Sequence, residues 1–448
     1  MSAGAPDKRG ASFETSAAEA SAARPPQDDD KGLIPHTNTP HPEARPAGAR
    51  LEALRKLEPA AGEGQAAARE TVLVYRHRLA PLSEVGFLRR FYVGFERLAP
   101  VWLGCHIDAG ASVLTEDPLR LGRSGPVGML DRTLFRHFGI LPPEPDLSAL
   151  RPAVLHAHFG RGGALALPIA RALGIPLVVT FHGADATKET HYRRRLVPRI
   201  YQRRLAALQQ EAALFVCVSE FVRDRLLARG FPPDKLEVIY QGVEPGIENN
   251  AAQPTETEAT GDPYVLFVGR FVEKKGVSDL IEAVRLLEAR GSAARLVLIG
   301  DGPLSGALKE RARGLERVRF LGWLPNSEVR RWMRGALALC VPSVTAREGD
   351  SEGLPTVIFE AMAEGVPVVG SDHAGIAEAV IHDTTGLIVR EGDPPALATA
   401  LASLIERPEL RRRLGIGARA AAAERFSALR QSRRLERALL RAAGLPPS

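Results

Sequence analysis

Glu352-Gly353-Leu354-Pro355-Thr356-Val357-Ile358-Phe359-Glu360-Ala361-Met362-Ala363-Glu364-Gly365-Val366-Pro367-Val368-Val369 divides into a loop, a helix and a buried strand. Pro355 has its φ preset for a first helical position, and Gly365 suits the turn that ends a helix. Glu352 therefore falls in the loop and Glu360 on the helix. The run from Val366 to Ser371 is apolar on both faces, as in a parallel strand covered by helices.

Working outward, comparable apolar segments spaced by helix-length stretches occur at Tyr264 to Gly269, Arg295 to Gly300, Ala336 to Pro342 and Gly386 to Val389. They predict a doubly wound sheet over 263–448, closed by helices in the Ala-, Arg- and Leu-rich stretch from Pro395 onward. A second series lies upstream, at Thr71 to Tyr75, Pro100 to His106, Ala153 to His158, Pro176 to His182, Leu214 to Ser219 and Leu236 to Gln241, with a helical-looking stretch from Val85 to Leu98. This predicts an equivalent domain over 70–244. Residues 245–262 carry Asn249-Asn250, Pro254 and alternating Thr and Glu, a composition that cannot pack a core, and read as the linker. Residues 1–69, rich in Ala, Pro, Gly and acids, read as a disordered extension. The expected class is α/β, with two Rossmann-like, doubly wound domains facing a cleft.

Bulk composition agrees with two domains: 448 residues, 45% hydrophobic and 25% charged, are the proportions of a folded globular chain. The net charge of +6 favours anionic partners only weakly, and 6% aromatics with no basic block interleaved among them argues against nucleic acid. Cys105, Cys217 and Cys340 lie far apart in apolar runs and read as buried thiols in a reducing compartment. No apolar run reaches the roughly eighteen residues of a spanning helix. A cytoplasmic protein, soluble or peripheral on the inner face of the cytoplasmic membrane, is expected.

The loop before the Glu360 helix leaves the N–H groups of Gly353 and Leu354 free to hold a phosphate. Carboxylates at each end of that cradle, Glu352 and Glu360, could grip hydroxyls on either side of a diphosphate. As an isolated pair they could equally be a helix-terminal acid and a solvated surface acid. Val268-Gly269-Arg270-Phe271-Val272-Glu273-Lys274-Lys275-Gly276 ends the first strand of the second domain, at the sheet edge where ligands of open α/β sheets bind. Arg270 and Lys275 are placed there to meet negative charge. In the first domain, His182 follows a strand in Val178-Val179-Thr180-Phe181-His182-Gly183-Ala184-Asp185. His156 and His158 share one face of another strand and could ligate a metal, but no third ligand is apparent at usable spacing.

Glu, seven residues, Glu, with Gly-Leu-Pro after the first and Ala-Met-Ala-x-Gly-x-Pro-Val-Val after the second, resembles the signature of retaining family 4 glycosyltransferases (glycosyl transferases group 1). The upstream Gly-Arg segment, Gly300-Asp301-Gly302-Pro303 and Phe320-Leu321-Gly322-Trp323-Leu324 look similar too. So do Asp350 to Thr356 and Ser371 to Glu378, which resemble colanic acid and amylovoran type exopolysaccharide transferases. The resemblance implies a GT-B fold and a metal-independent, retaining hexosyltransferase that needs no cofactor. It would move a hexose from a nucleotide-sugar to a saccharide or lipid-linked oligosaccharide acceptor, in bacterial exopolysaccharide or cell-surface polysaccharide synthesis.

On that resemblance His182, Arg270, Lys275 and Glu352 are the catalytic candidates. Gly269, Arg270, Lys275, Gly302, Gly353, Leu354 and Glu360 hold the nucleotide, Glu360 on the ribose and Glu352 on the sugar. His158, Ser83 and Glu84 lie on the acceptor side. Many family members carry a Gly-Gly loop where this chain has Arg78-Leu79-Ala80-Pro81-Leu82-Ser83-Glu84-Val85, and Val243-Glu244 replaces the commoner Val-Asp. His191 to Arg204 sets arginines against Leu196 and Ile200 and reads either as a solvated face or as a helix lying on an anionic membrane. Two rival functions stay open, a nucleotide-sugar epimerase of GT-B fold and a non-catalytic nucleotide-sugar-binding scaffold.

Overall fold

A computed structural model describes residues 69–80, 86–108, 118–187, 200–244, 263–293 and 295–446. The first half of the chain supplies β1 (Glu70–Tyr75), β2 (Arg78–Leu79), β3 (Leu98–Gly104), β4 (His106–Ile107), β5 (Leu119–Arg120), β6 (Pro152–His158), β7 (Leu177–Phe181), β8 (Leu214–Cys217) and β9 (Leu236–Val238). The second supplies β10 (Tyr264–Val268), β11 (Arg295–Ile299), β12 (Val318–Gly322), β13 (Ala338–Val341), β14 (Val368–Ser371) and β15 (Gly386–Val389). One sheet has the order β5-β3-β1-β6-β7-β8-β9, the other β12-β11-β10-β13-β14-β15, and β2 pairs with β4 alone. All these pairings are parallel.

The parallel arrangement follows from the apolar runs. In β1, Val72 to Tyr75 are fully buried, and in β7 every residue from Leu177 to Phe181 is buried, so neither face tolerates water. Helices cover both faces: Gly160–Leu173 packs on β6 and β7, and Val277–Ala289 and Pro394–Glu406 pack on each other beside the second sheet. Cys105, Cys217 and Cys340 are buried and unpaired.

Three expectations need correcting. The stretch from Val85 to Leu98 is not one helix: it makes two short turns, Gly86–Leu88 and Arg89–Phe91, and then enters β3 at Leu98. The reason is a carboxylate from far along the chain. Glu436, 1% exposed, accepts from the backbone N–H groups of Arg97 (2.7 Å), Leu98 (2.8 Å) and Glu96 (2.9 Å), which draws this segment out of helix. The passage between the halves also lies earlier than 245–262, because Ile239 belongs to the first core while Val243 already belongs to the second. Residues 245–262 and 1–68 lie outside the described residues.

Finally, the C-terminal helices do not all close the second half. Phe426 ends in the second core, but the last helix, Ala428–Ala442, returns to the first and buries Leu435, Leu439 and Leu440 there. The outgoing and returning passages run side by side: Val243 N–H donates to Phe426 O at 2.8 Å, and Ala428 N–H donates to Val243 O at 2.9 Å.

Glu436→Ala should therefore destabilise the chain by about 2–4 kcal/mol, because it strands three backbone donors without a partner. Glu436→Gln, which keeps an accepting oxygen, should cost less. Urea unfolding of both variants checks this, and equal stability of Glu436→Ala and the parent chain would contradict it.

Candidate active site

Each sheet reverses its strand order beside its first strand, β1 lying between β3 and β6 and β10 between β11 and β13. Such a reversal opens a crevice outside the carboxyl ends of the strands. On the first sheet those ends lead to Arg76, Phe159 and His182. On the second they lead to Gly269, Arg270 and the loop 342–355.

His182 sits on a loop that a single carboxylate organises. One oxygen of Asp185 accepts from the N–H groups of His182 (3.0 Å) and Gly183 (2.9 Å), and the other from Gly160 N–H (2.9 Å). Phe159, at φ 68°, holds its ring 4.3 Å from the His182 ring, and the Arg76 guanidinium lies 4.2 Å from the Phe159 centroid. A bulky residue in that backbone region is strained, a condition that concentrates at functional sites.

Behind His182 the histidines form one chain of contacts. His158 Nδ1 lies 3.1 Å from His182 Nε2. The Tyr92 hydroxyl bridges His158 Nε2 (2.7 Å) and His156 Nδ1 (2.6 Å), and His156 Nε2 meets the Thr180 hydroxyl at 2.7 Å. Burial lowers the pKa of His156 to about 3. It lowers His182 to about 3 as well, with the charge of Arg76 contributing. His158 moves in the same direction, again chiefly through burial. All three imidazoles are neutral near pH 7. Both nitrogens of His156 are held by hydroxyls, and among the described residues no group of three His, Cys, Asp or Glu side chains could hold a metal ion.

In the second half, the turn Glu273–Lys275 points its lysines at the loop 342–355. Lys275 Nζ lies 3.1 Å from Glu352 Oε1, and Lys274 Nζ lies 3.1 Å from Asp350 Oδ1 and 3.9 Å from Glu352 Oε1. Burial alone would raise the Glu352 pKa, but the two ammonium groups outweigh it and hold the carboxyl below its usual range. Glu352 is 8% exposed and stays charged.

The structure thus unites part of the predicted set. His158 touches His182, Lys275 touches Glu352, and the two groups meet through backbone: a Cβ on Gly353 would run into the His182 carbonyl, and one on Gly183 into Gly353. Gly269 lies beside the Lys275 side chain, and Gly302 packs against the backbone of Phe271. Leu354 is a core residue, 7% exposed. Arg270 is exposed and has no side-chain partner among the described residues. Glu360 is bound by Arg90, at 2.8 Å, from the opposite half. Ser83 and Glu84 lie outside the described residues, as does most of the Arg-rich segment after His191.

Sequence reading missed Arg90, Tyr92, Asp185, Lys274 and Glu378. Glu378 accepts from the N–H groups of Glu220 (2.8 Å) and Phe221 (2.9 Å), at the start of the helix Glu220–Leu227 across the crevice. Only Asp185 gave a signal, three residues after His182 where it can reach back to the loop N–H groups. Arg90 and Glu378 act across halves, Tyr92 and Lys274 on partners distant in the chain within their own half, and no local pattern marks such pairs.

Comparison with known proteins matches 249–421 to the family described as glycosyl transferases group 1, and 110–246 to glycosyltransferase family 4. The amylovoran biosynthesis glycosyltransferase AmsK of Erwinia amylovora is 37% identical over 253 residues, 55% of this chain and 60% of that protein. The alpha-D-kanosaminyltransferase of Streptomyces kanamyceticus is 30% identical over 291 residues, 61% of this chain and 74% of that protein. The chain thus spans about 60% of the length of the first of these relatives. Among solved structures, Anabaena HepE in complex with UDP-glucose superimposes with a TM-score of 0.65 at 18% identity, covering 82% of this chain and 99% of that one. The fold is GT-B.

The neutral histidines make stability depend on acid. A group whose pKa is lowered on folding stabilises the fold fully above its unfolded value of 6.5, and that stabilisation is lost as pH falls toward the folded value of about 3. For His156, fully buried, the slope is about 1.4 kcal/mol per pH unit within that window. Urea unfolding at a series of pH values below about 6.5 should show a shallower acid loss in His156→Gln than in the parent chain. Parallel curves would contradict it.

Proposed function

Since the chain belongs to the glycosyl transferases group 1 family, we propose that it moves a hexose from a nucleotide-sugar to a lipid-linked saccharide acceptor, with retention, in bacterial exopolysaccharide or cell-surface polysaccharide synthesis. Support comes first from the buried Lys275–Glu352 ion pair, placed at the carboxyl edge of the second sheet and backed directly onto the His182 loop. The likeness to HepE, whose structure holds UDP-glucose, and to the amylovoran biosynthesis enzyme supports the donor class and the product class.

In this mechanism the nucleoside diphosphate lies along the second half. Glu360 takes the ribose hydroxyls, exchanging Arg90 for them, and Gly269, Gly302, Gly353 and Leu354 line the diphosphate with backbone. As the bond to the sugar breaks, charge grows on the distal phosphate. Lys275, held in place by Glu352, and Arg270, at the same sheet edge, stabilise that charge more than they stabilise the ground state. Glu352 orients the sugar, and His182 contacts it from the first half. Since side-chain cations carry the charge, no metal or cofactor enters the scheme.

The acceptor approaches from the first half, beside His158, Ser83 and Glu84. Work on a lipid-linked acceptor would place the protein in the cytoplasm, in peripheral contact with the anionic inner face of the membrane. No helix among the described residues is long and apolar enough to cross a membrane.

The purified protein, offered a panel of nucleotide sugars with a membrane-lipid extract, should release free nucleotide from one donor only when the extract is present. Donor consumed without acceptor and converted to a second nucleotide sugar would instead identify an epimerase, and no binding or turnover would refute the proposal. Arg270→Ala is the cleanest variant because Arg270 is exposed and unpartnered. Its melting temperature should be unchanged while kcat falls by roughly 10²-fold or more. Glu360→Gln should weaken nucleotide binding measured by calorimetry.

A further inference from the structure

We propose that Thr180, His156, Tyr92 and His158 form a one-way hydrogen-bond relay that locks His182 in the tautomer carrying its proton on Nδ1, so that it presents an N–H donor to the bound sugar. This rests on the placement of His182 against the sugar given above, and it adds what His182 offers there and what fixes that offer.

The four links are Thr180 Oγ1 to His156 Nε2, His156 Nδ1 to the Tyr92 hydroxyl, that hydroxyl to His158 Nε2, and His158 Nδ1 to His182 Nε2. They span 2.6 to 3.1 Å, so each must contain one proton. A neutral imidazole carries one proton on its two nitrogens, and a hydroxyl donates once. Polarity therefore passes unbroken from end to end, and only two patterns satisfy every link. In one, each group donates toward His182, whose Nε2 accepts and whose Nδ1 keeps the proton. In the other, every proton points toward Thr180, and His182 shows a bare Nδ1 lone pair.

Thr180 decides between them. Its side chain is fully buried, and His156 is the only hydrogen-bond partner of its hydroxyl among the described residues. In the second pattern Thr180 accepts, and its own proton is left buried with no acceptor. In the first that proton goes to His156 and nothing is stranded. A charged imidazole would break the one-proton-per-link count, and burial opposes it at all three histidines.

The consequence is chemical. With Nε2 occupied by His158 and Nδ1 protonated, His182 has no free lone pair and cannot remove a proton from the acceptor. It can donate a hydrogen bond to a sugar oxygen. Its Nδ1 has no hydrogen-bond partner among the described residues. Thr180, His156, Tyr92 and His158 are positioning residues in this scheme.

The test is a long-range proton–nitrogen correlation spectrum of the full chain labelled with ¹⁵N-histidine, with His182 assigned by its loss in His182→Asn. The parent protein is expected to show a pyrrole-like Nδ1 and a pyridine-like Nε2 at His182. Tyr92→Phe, which keeps the ring packing and removes the bridging hydroxyl, should give averaged nitrogen shifts. It should also lower kcat roughly tenfold, about one hydrogen bond's worth, with the Kd for nucleotide unchanged. Thr180→Val should disturb the spectrum and Thr180→Ser should restore it. A proton on Nε2 of His182 in the parent protein, an imidazolium there, or a Tyr92→Phe spectrum identical to the parent's would overturn the proposal. The spectra need no donor, so a protein that shows the expected tautomer yet turns over no nucleotide sugar keeps the relay and loses the transferase.

Discussion

Backbone meets backbone where the two halves face each other. The His182 carbonyl and Gly183 lie against Gly353 so closely that a methyl group on either glycine would overlap the opposing loop. Only glycine allows that approach, and the approach is what brings His182 within reach of the Glu352 loop. Other contacts align with it: Gly375 N–H donates to Gly353 O at 3.0 Å, Ser219 reaches the same carbonyl at 3.4 Å, and Glu378 caps the helix Glu220–Leu227 from the far side. A larger residue at Gly183 or Gly353 would hold the loops apart and leave each set of side chains without its counterpart.

The charges at this meeting point are kept charged by pairing. Glu352 is almost excluded from water, and an isolated carboxylate there would take up a proton. Two ammonium groups prevent this, and in turn the carboxylate holds Lys275 at one spot on the sheet edge. A buried pair of this kind contributes little net stability, since desolvation offsets most of the attraction. Its value lies in geometry: the cation is already oriented before any ligand arrives. Arg90 and Glu360 do the same across the crevice, each with a side chain little exposed.

Much of the fold was legible in the chain because fully buried parallel strands read as unbroken apolar runs. The strands from Thr71 to Tyr75 and from Gly386 to Val389 fall within a residue of expectation. The short strands β2, β4 and β5 and the strand β12, whose burial is only partial, carry no such run and were missed. Within the candidate site, His182, Lys275, Glu352 and their glycines stand in local motifs that a sequence reading picks out, and the structure brings them together. Those whose meaning depends on a distant partner are not picked out in this way. Arg90 is one arginine among many until Glu360 appears opposite it. Tyr92 sits in a stretch that looked helical, and Glu436 in a helix that looked destined for the other core. Long-range pairing has no period and no spacing, which is why sequence patterns cannot announce it.

The side-by-side passages near Val243 and Ala428 amount to a joint two strands thick. A single connecting strand swivels by adjusting one or two torsions. Here Val243 is clasped between Phe426 and Ala428 by a pair of hydrogen bonds, so a torsion on one strand must be answered on its neighbour. Twisting and sliding of one lobe over the other are resisted, and bending about the strap is the softest remaining movement. Any opening to admit a large ligand should thus resemble a jaw more than a ball and socket.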